Sequence, residues 1–524
     1  MLGLTLIAVG LSLGAIFISL GQIILGANWL LEADFKTKYR KIVSQPILWF
    51  FLFFFVLHLA GLLWSDNLNY GIEDIKIKLP LLALPLIFST TTPLATKEWK
   101  FILLIYLLSV LASTGWSMVF YLGWKKSAEN DIRNLSRFFS HIRFAMNIVF
   151  SIFVGAWLSS HEKRIYRKIS FLLISVWLFL FLFILGSLTG IVLICILLIM
   201  TMIYLLNKRK GILLKSLVFT SLVILIFILL GYGISFYNDF FTPRQNINEK
   251  LELWTSKNDL YYHEENLARE NGYFVWRYNA YEELQECWNQ RSTLKFDGKD
   301  RKGNPLRFTL IRYMTSMGIR KDADQFQKLS NEDIRQIENG IPNYKLVNAS
   351  PMKHRMYEAM WELNDYLENG SINNHSLALR LVYWKTAWHI LKKEIFLGVG
   401  TGDVQDAFTQ QYEKDNSPLK NEEDRRRAHN QFLEIGVGLG LLGIISLIVL
   451  LTALILYKEK KHILFYPFYF ILLLSMLTED TLETQAGVSL FVFFLALFIF
   501  QIKNENGISD EFTEKKKSSI LPAA

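Results

Sequence analysis

Long apolar runs rich in Phe, Leu and Ile alternate with short charged breaks along most of the chain. A helix that crosses the roughly 30 Å hydrocarbon core of a membrane needs about 20 such residues. The 524 residues are 52% hydrophobic and 20% charged, and the charge is concentrated in the breaks and in one polar stretch, residues 237–430. This pattern excludes a soluble globular enzyme, a disordered chain and a disulfide scaffold. It predicts an all-α polytopic membrane protein.

The candidate spans are residues 46–64, 78–93, 100–123, 142–158, 169–186, 188–206, 215–235, 431–457, 463–478 and 485–502. The segment Leu2–Leu31 is too long for one upright helix and short for two. Its glycines Gly10, Gly14, Gly21 and Gly26 favour a tight pair of short helices. The sequence therefore predicts about twelve transmembrane helices, or eleven if this segment is one tilted helix.

Basic clusters between the apolar runs set the expected orientation. The clusters at 36–41, 163–168, 208–210 and 458–461 fall on one side of the membrane if the spans alternate. The positive-inside rule places that side in the cytoplasm. Because the net charge of +9 is divided among these clusters and forms no single patch, no nucleic-acid partner is predicted.

The same alternation places the polar stretch outside the membrane. We therefore predict an N-terminal transmembrane bundle (1–236), a large and mainly helical external domain (237–430), three C-terminal transmembrane helices (431–502) and a cytoplasmic tail (503–524). Cys195 lies in an apolar run and Cys287 in the polar stretch, so no disulfide is predicted.

One predicted external break departs from the charge rule. Residues 124–143 carry Lys125, Lys126, Arg133, Arg137 and Arg143, although short external loops normally carry few basic residues. An anionic ligand at the outer membrane surface would compensate these charges. Contacts between a short amphipathic helix and lipid phosphates would do so equally well, and both interpretations stay open.

The polar stretch has the features of an ordered domain. Helical apolar spacing recurs at Met356–Leu367, and Leu377–Phe396 has the pattern of an amphipathic helix. Turn residues within 295–309, flanked by short strand-like runs, predict a hairpin. The glycine cluster Gly398–Gly402 ends the amphipathic helix, and such clusters are more often plain turns than phosphate cradles.

His429 stands where the external stretch re-enters the membrane, directly after the basic run Arg425–Arg427. A neutral imidazole at this boundary can accept a proton. Gly436, Gly440 and Gly443 would let a neighbouring helix pack closely below it. From physical chemistry alone, a simple boundary histidine is the more common case. The nine histidines show no metal-ligand spacing, so no metal is predicted.

The motif around this histidine adds weight to a catalytic role. The run H-N-x2-L-x6-G-x2-G, formed by His429, Asn430, Leu433, Gly440 and Gly443, resembles the signature of the O-antigen ligase and O-antigen polymerase superfamily. That superfamily also has a large external loop just before the histidine, as predicted here.

Three further stretches agree with this resemblance. Arg380–Trp384 followed by Ile395–Gly400 is similar to the family pattern R-x3-W and P-x-x-G-x-G. Ser140–Asn147 contains an arginine where the family carries one at the outer mouth of a span, and Ser187–Gly190 resembles the family element S-x-[ST]-G.

The chain also departs from the family pattern. Ile395 stands where a proline is common, and Leu188 stands where many members have arginine. The piece 240–370 is larger than usual for the family, which leaves the acceptor open.

The resemblance implies a glycosyltransferase in the bacterial inner membrane, with its active site facing the periplasm. Its donor would be a glycan on undecaprenyl diphosphate, and its acceptor would be a lipid A–core or another glycolipid or glycan. Membrane lipids are the remaining expected partners and no cofactor is implied. The oligomeric state stays open.

The resemblance also assigns roles to residues. His429 is the expected general base, with His141 and then His375 as alternatives. Arg143 and Arg380 would stabilise the leaving diphosphate, because a guanidinium binds phosphate oxygens in pairs and makes a metal unnecessary. Arg137 and the run Arg425–Arg427 would attract the donor from outside. The expected substrate-binding residues are Arg137, His141, Asn430, Gly398, Gly400 and Arg427.

Alternative functions remain within and outside the superfamily. An O-antigen polymerase would use a second lipid-linked repeat as acceptor, and a protein O-oligosaccharyltransferase would use Ser or Thr of a protein. The ligase is preferred because the histidine motif is well kept. A polysaccharide or lipid transporter or flippase is disfavoured, because the predicted spans are nearly free of charge and no repeated halves are visible. A non-enzymatic scaffold is a further alternative.

Overall fold

The computed structural model describes residues 1–124, 135–208, 211–245, 250–264, 268–369, 376–417, 419, 424–457 and 461–502. The α-helices in these residues are α1 (Leu2–Leu13), α2 (Ala15–Leu31), α3 (Phe35–Ser44), α4 (Pro46–Ala60), α5 (Leu68–Thr90), α6 (Thr96–Trp124), α7 (His141–His161), α8 (Ile165–Leu185), α9 (Leu188–Lys208), α10 (Ile212–Phe241), α11 (Tyr281–Arg291), α12 (Leu306–Ser316), α13 (Ala323–Phe326), α14 (Asn331–Glu338), α15 (Pro351–Asn369), α16 (Ser376–Lys393), α17 (Val404–Lys414), α18 (Gln431–Leu456), α19 (Phe465–Ser475) and α20 (Gln485–Ala496). Two short strands, β1 (Arg269–Glu270) and β2 (Tyr273–Phe274), form an antiparallel pair. The predicted tail 503–524 lies outside the described residues.

Each predicted span coincides with a helix. Within the described residues, seven helical segments (α4 with the turn that follows it, α6–α10 and α18) are long and apolar enough to cross a membrane, and the bent pair α2–α3 gives an eighth if it is one span. The apolar helices α1, α19 and α20 are shorter. These helices confirm an all-α polytopic membrane protein. The total of twelve crossings and their orientation stay predictions.

The first apolar segment forms two short helices, as its glycines predict. Gly14, with φ at +150°, separates α1 from α2. The two helices approach closely at Gly3 and Gly21, where a Cβ added to Gly21 would lie 2.6 Å from the carbonyl oxygen of Gly3. A side chain at either position would therefore push the pair apart.

Helix α5 begins at Leu68, well before the predicted start of its span at residue 78. The Asn67 side chain caps it by accepting the N–H of Tyr70 at 3.1 Å. The early turns are polar, but Asp74 and Lys78 are one helical turn apart and bond each other inside the protein. A hydropathy pattern alone does not place this helical turn inside the protein. It scores two buried, paired charges in the same way as the charges of a solvent-exposed loop.

Contact clustering divides the chain into two compact units. The first comprises residues 1–116, 136–180 and the part from Leu379 onward, and the second comprises residues 117–135 and 181–378. In the first unit, α4 packs against α5 and α18, and α5 packs against α20. The aromatic rings of Phe150, Phe468 and Phe494 form part of its core, with Phe150 centred 4.8 Å from each of the other two.

The second unit has a hydrophobic core of its own within the predicted external stretch. Trp288, Leu310 and Phe326 are completely buried there, and helices α11–α14 surround them. The predicted hairpin at 295–309 is wrong, because α12 begins directly after Pro305 and a single bridge joins Lys299 to Pro305 in this segment. The helices predicted at Met356–Leu367 and Leu377–Phe396 are present as α15 and α16.

A lysine is buried in this second unit, and within the described residues it has no ion pair shorter than 4 Å. Lys321 is 3% exposed, and its Nζ donates to the carbonyl oxygen of Phe274 at 3.4 Å. Burial lowers the pKa of Lys321 from its usual 10.5 to about 7, although Asp322 opposes this shift. The unfolded chain therefore binds more protons than the folded unit between these two values.

This burial gives the second unit a defined pH dependence. Between about pH 7 and pH 10.5 the unfolding free energy should rise with pH, by up to about 1.4 kcal/mol per unit. Lys321→Met should stabilise the unit at pH 7.5 and flatten this slope. Denaturant-dependent thiol labelling of Cys287 in a Cys195→Ala background measures the unfolding of this unit. The exposed Lys328→Met is the matched control, and an unchanged slope in Lys321→Met would contradict the prediction.

Candidate active site

His429 is presented by a sharp turn at the start of α18. Its backbone φ is +46°, a region that residues other than glycine seldom adopt. Asn430 caps the helix, because its side-chain oxygen accepts the N–H groups of Phe432 and Leu433 at 3.0 and 3.1 Å. The Asn430 amide nitrogen donates to the carbonyl oxygen of Leu477 at 3.0 Å. The asparagine of the motif therefore builds the turn, and the histidine projects from it.

The imidazole of His429 lies beside a carboxylate of the connection between α19 and α20. Its Nδ1 is 3.5 Å from Oδ1 of Asp480, and its side chain is 25% exposed. Burial alone would raise the pKa of Asp480, but the adjacent His429 outweighs burial and the net pKa is lowered. Nδ1 is buried and makes no hydrogen bond among the described residues, so its contact with Asp480 is an electrostatic one.

The two predicted arginines face the same acidic connection. Nη2 of Arg380 is 2.9 Å from Oε1 of Glu479, the residue before Asp480. The charge of Arg143 interacts with both Glu479 and Asp480, and its buried Nε has no hydrogen-bond partner among the described residues. Burial raises the pKa of Glu479, and Arg380 opposes that rise. The structure thus gathers His429, Arg380 and Arg143 around one pair of carboxylates.

Three of these side chains have the chemistry of metal ligands. Ligand atoms of His429, Glu479 and Asp480 all lie within 4.8 Å of one another. The guanidinium of Arg380 already bonds Glu479, so a positive charge is present at this position. The independence of a metal stays a prediction.

Arg427 is not the exposed attractor that its position in the basic run suggests. Its side chain is 17% exposed, and its Nη1 lies 3.0 Å from Oε1 of Glu434 and 3.5 Å from Oε2 of Glu483. Burial would lower the pKa of Arg427, but these two carboxylates outweigh burial and raise it. We therefore correct its expected role, because its charge is used inside the protein.

Arg427 belongs to a buried charged cluster formed by Asp74, Lys78, Arg427, Glu434 and Glu483. Lys78 is 2% exposed and donates to both oxygens of Asp74 at 2.7 Å and to Oε2 of Glu483 at 2.8 Å. A cavity of about 20 Å³ lies within the cluster, which is room for one water molecule. The prediction that the apolar runs are nearly free of charge is therefore wrong at this end of α5 and α18.

The sequence contained signals for these missed residues. Asp74 and Lys78 are spaced four apart, which places them on one face of a helix. Glu479, Asp480 and Glu483 crowd three carboxylates into the short break between two apolar runs. We call residues 479–483 the acidic connector.

The glycine motif pairs with a break in α18. Gly440, with φ +61° and ψ −156°, interrupts the helix and leaves backbone groups without helical partners. The N–H groups of Val399 and Gly400 donate to the carbonyl oxygens of Val437 and Gly438, both at 2.9 Å. The N–H of Leu441 in turn donates to the carbonyl oxygen of Ile395 at 2.8 Å. The two halves of the family signature are therefore one interlocked structure.

This pairing determines whether the backbone N–H groups of the glycine cluster are available to bind a substrate. The N–H of Gly398 donates to the carbonyl oxygen of Glu394 at 3.0 Å, and that of Gly400 is used at the helix break. Both amides are thus engaged within the protein. We do not include Gly398 and Gly400 in the substrate site proposed below.

The remaining predicted residues lie near the start of α7 or outside the described residues. Arg137 is exposed, and His141 is the first residue of α7, which Ser140 caps through the N–H of Arg143 at 3.4 Å. His375, Lys125, Lys126 and Arg133 fall outside the described residues.

Residues 340–448 match the family model described as Wzy_C, O-antigen ligase. These residues are therefore similar to the O-antigen ligase domain. This match supports the O-antigen ligase and polymerase-like superfamily and a glycosyltransferase type of enzyme. No curated protein matches the chain.

The matched stretch contains part of the candidate site. It includes Arg380, His429 and both glycine motifs, and it ends within α18. Arg143, Lys78 and the acidic connector lie outside the matched residues. The three-dimensional arrangement is therefore needed to relate those residues to the motif histidine.

The helix break at Gly440 should not tolerate a side chain. A Cβ at Gly440 would lie 2.3 Å from the carbonyl carbon of Phe396, in a backbone conformation that favours glycine. Gly440→Ala should therefore destabilise the protein by roughly 2–4 kcal/mol. Thermal unfolding of the purified protein in detergent measures this loss. Gly115→Ala in α6 is the matched control, because nothing lies within 4 Å of its added Cβ, and equal melting temperatures for the two variants would refute the prediction.

Proposed function

We propose that this chain is an O-antigen ligase-type glycosyltransferase. It moves a glycan from undecaprenyl diphosphate to a lipid A–core or another surface acceptor. The reaction takes place at the periplasmic face of a bacterial inner membrane, the side assigned to the external stretch by the basic clusters. The family match at 340–448 supports the reaction class.

The contact between His429 and Asp480 carries this proposal. An imidazole whose Nδ1 lies 3.5 Å from a carboxylate oxygen would carry its proton on Nδ1 and accept another at Nε2, as a general base requires. Arg380 and Arg143 lie at the same acidic connector, where they would face the leaving diphosphate. A base beside cations, at the end of apolar helices, suits the attack of a hydroxyl on a lipid-linked diphosphate sugar.

The proposed reaction is a direct displacement at the anomeric carbon. The acceptor oxygen forms a bond to this carbon while the bond from the carbon to the diphosphate oxygen breaks. The hydroxyl proton passes to Nε2 of His429, and the bonding electron pair leaves with undecaprenyl diphosphate. The developing imidazolium is stabilised by Asp480, and the anomeric configuration is inverted.

Two observations favour a transporter as the second candidate. Buried ionisable side chains and a helix interrupted at glycine are both typical of transporter substrate pathways. Transport requires two compartments separated by a membrane, whereas catalysis does not. Detergent micelles have no separated compartments, so glycan transfer in detergent would require catalysis by the protein itself.

Replacing the proposed base should abolish most of the turnover. His429→Ala should lower the rate of transfer from a lipid-linked glycan donor by about 10²–10⁴-fold in detergent. Arg380→Ala and Arg143→Ala should each lower it by at least about tenfold, because each removes positive charge facing the diphosphate. The measurement is the appearance of glycosylated acceptor with time.

The controls for this experiment are His161, the last residue of α7, and Arg167, near the start of α8. His161→Ala and Arg167→Ala remove exposed residues of the same types and should leave transfer unchanged. Wild-type turnover by His429→Ala would eliminate the proposed base. In cells, long lipid-linked chains that accumulate without attachment indicate a ligase, single accumulated repeats indicate a polymerase, and missing glycoprotein indicates a protein acceptor.

Removal of divalent metal should leave the activity intact. Arg380 already balances Glu479, and guanidinium groups can stabilise the leaving diphosphate without a metal. Transfer should therefore proceed at the same rate in excess EDTA and after addition of Mg²⁺ or Mn²⁺. Loss of transfer in EDTA with recovery on adding the metal would instead assign a metal to His429, Glu479 and Asp480.

A further inference from the structure

We propose that Lys78 is a positioning residue for the active site, acting through Glu483 on the acidic connector that holds His429 and Arg380. This inference rests on the proposed function, since it concerns the same site. Lys78 lies on α5, in a sequence region that shares no motif with the histidine.

The acidic connector is held at each of its three carboxylates by a different basic side chain. Glu479 is bonded by Arg380 at 2.9 Å, and Asp480 faces Nδ1 of His429 at 3.5 Å. Glu483 is bonded by Lys78 at 2.8 Å. The connector contains only five residues, so a displacement at Glu483 is transmitted directly to the carboxylate beside the histidine.

The Lys78 side chain is held by its own helix as well as by the connector. Its three ammonium protons are matched by three acceptor contacts, two to Asp74 on its own helix and one to Glu483. Because both carboxylates are largely buried, neither bond is screened by bulk water. The lysine therefore joins α5 to the connector in one defined geometry.

The turn that presents His429, residues 427–431, contacts the same Glu483 carboxylate. Arg427, two residues before His429, reaches Oε2 of Glu483 at 3.5 Å, and Gln431, two residues after it, donates to Oε1 at 3.0 Å. Gln431 also accepts the N–H of Leu482 at 2.6 Å. Glu483 is thus the point at which α5, the histidine turn and the connector meet.

Lys78 cannot act by touching the substrate. Its side chain is 2% exposed, and its ammonium protons are all used within the buried cluster. Its contribution to catalysis must therefore pass through Glu483 and the connector. Loss of Lys78 would leave Glu483 to Arg427 and Gln431, and would remove the ion pair between the connector and α5.

A double-mutant cycle between Lys78 and Asp480 tests this route. We expect Lys78→Met to lower kcat by about ten- to hundredfold with KM changed less than about threefold, since a misplaced base slows the chemical step more than it weakens binding. Asp480→Asn should have an equal or larger effect. The double variant should be no slower than Asp480→Asn within about threefold, because both changes disturb the same contact.

A second readout is independent of glycan transfer. Diethyl pyrocarbonate modifies His429 at a rate that depends on how its ring is held, and peptide mass spectrometry follows this rate. Asp480→Asn should change the rate at fixed pH by at least about threefold, Lys78→Met should change it in the same direction, and the double variant should add nothing further. This readout separates failure of the inference from failure of the proposed function.

Lys76→Met is the matched control, because it removes the same charge from the same helix at a side chain that is 58% exposed. It should behave as wild type in both measurements. If Lys78→Met does not fold, Lys78→Met/Asp74→Asn replaces it and keeps the net charge of the buried cluster unchanged. The proposal would be overturned if the losses of kcat in Lys78→Met and Asp480→Asn multiplied in the double variant. It would also be overturned if Lys78→Met had the turnover and the His429 modification rate of the wild type.

Discussion

Compensation of buried charge is the constraint on which this site depends. The acidic connector places Glu479, Asp480 and Glu483 at the end of apolar helices, where an unpaired carboxylate would be strongly destabilising. Arg380 balances Glu479 and Lys78 balances Glu483, while the imidazole of His429 lies beside Asp480. These contacts bring α5, α16 and the turn before α18 to one place, and the charge of Arg143 on α7 acts on the same carboxylates. The charge balance and the geometry of the candidate site therefore have the same origin.

The broken helix solves a second problem at the same location. An interruption at Gly440 exposes backbone groups in an apolar environment, where each unsatisfied group is costly. The segment Ile395–Gly400 supplies the missing partners. The segment Ile395–Gly400 follows α16, the helix that carries Arg380. The break lets this segment pass directly beside α18, the helix that begins after His429. Glycine is required on both sides because the two backbones approach too closely for a Cβ.

The sequence predicts the features that depend on local pattern. Apolar runs position the helices because hydropathy acts over about 20 residues. The motif around His429 and the separate stretches that contain Arg143 and Arg380 predict these three residues as members of the candidate site. The sequence does not predict that Arg427 is buried, or that Glu483 bonds Lys78, because these contacts join residues far apart in the chain. The Asp74–Lys78 spacing was a local signal, but a paired charge in a span is indistinguishable from a polar break without its distant partner.

The arrangement of cations indicates how a diphosphate would enter under the proposed function. Arg380 is bonded to Glu479, so it can bind phosphate only by giving up that contact. Arg143 is different, since its Nε has no hydrogen-bond partner among the described residues and its acidic neighbours are already held by Arg380 and His429. Under the proposed function, Arg143 could therefore bind the anion without giving up a hydrogen bond at Nε. Burial raises the pKa of Glu479, which makes this carboxyl the easiest of the pair to neutralise when added negative charge competes for Arg380.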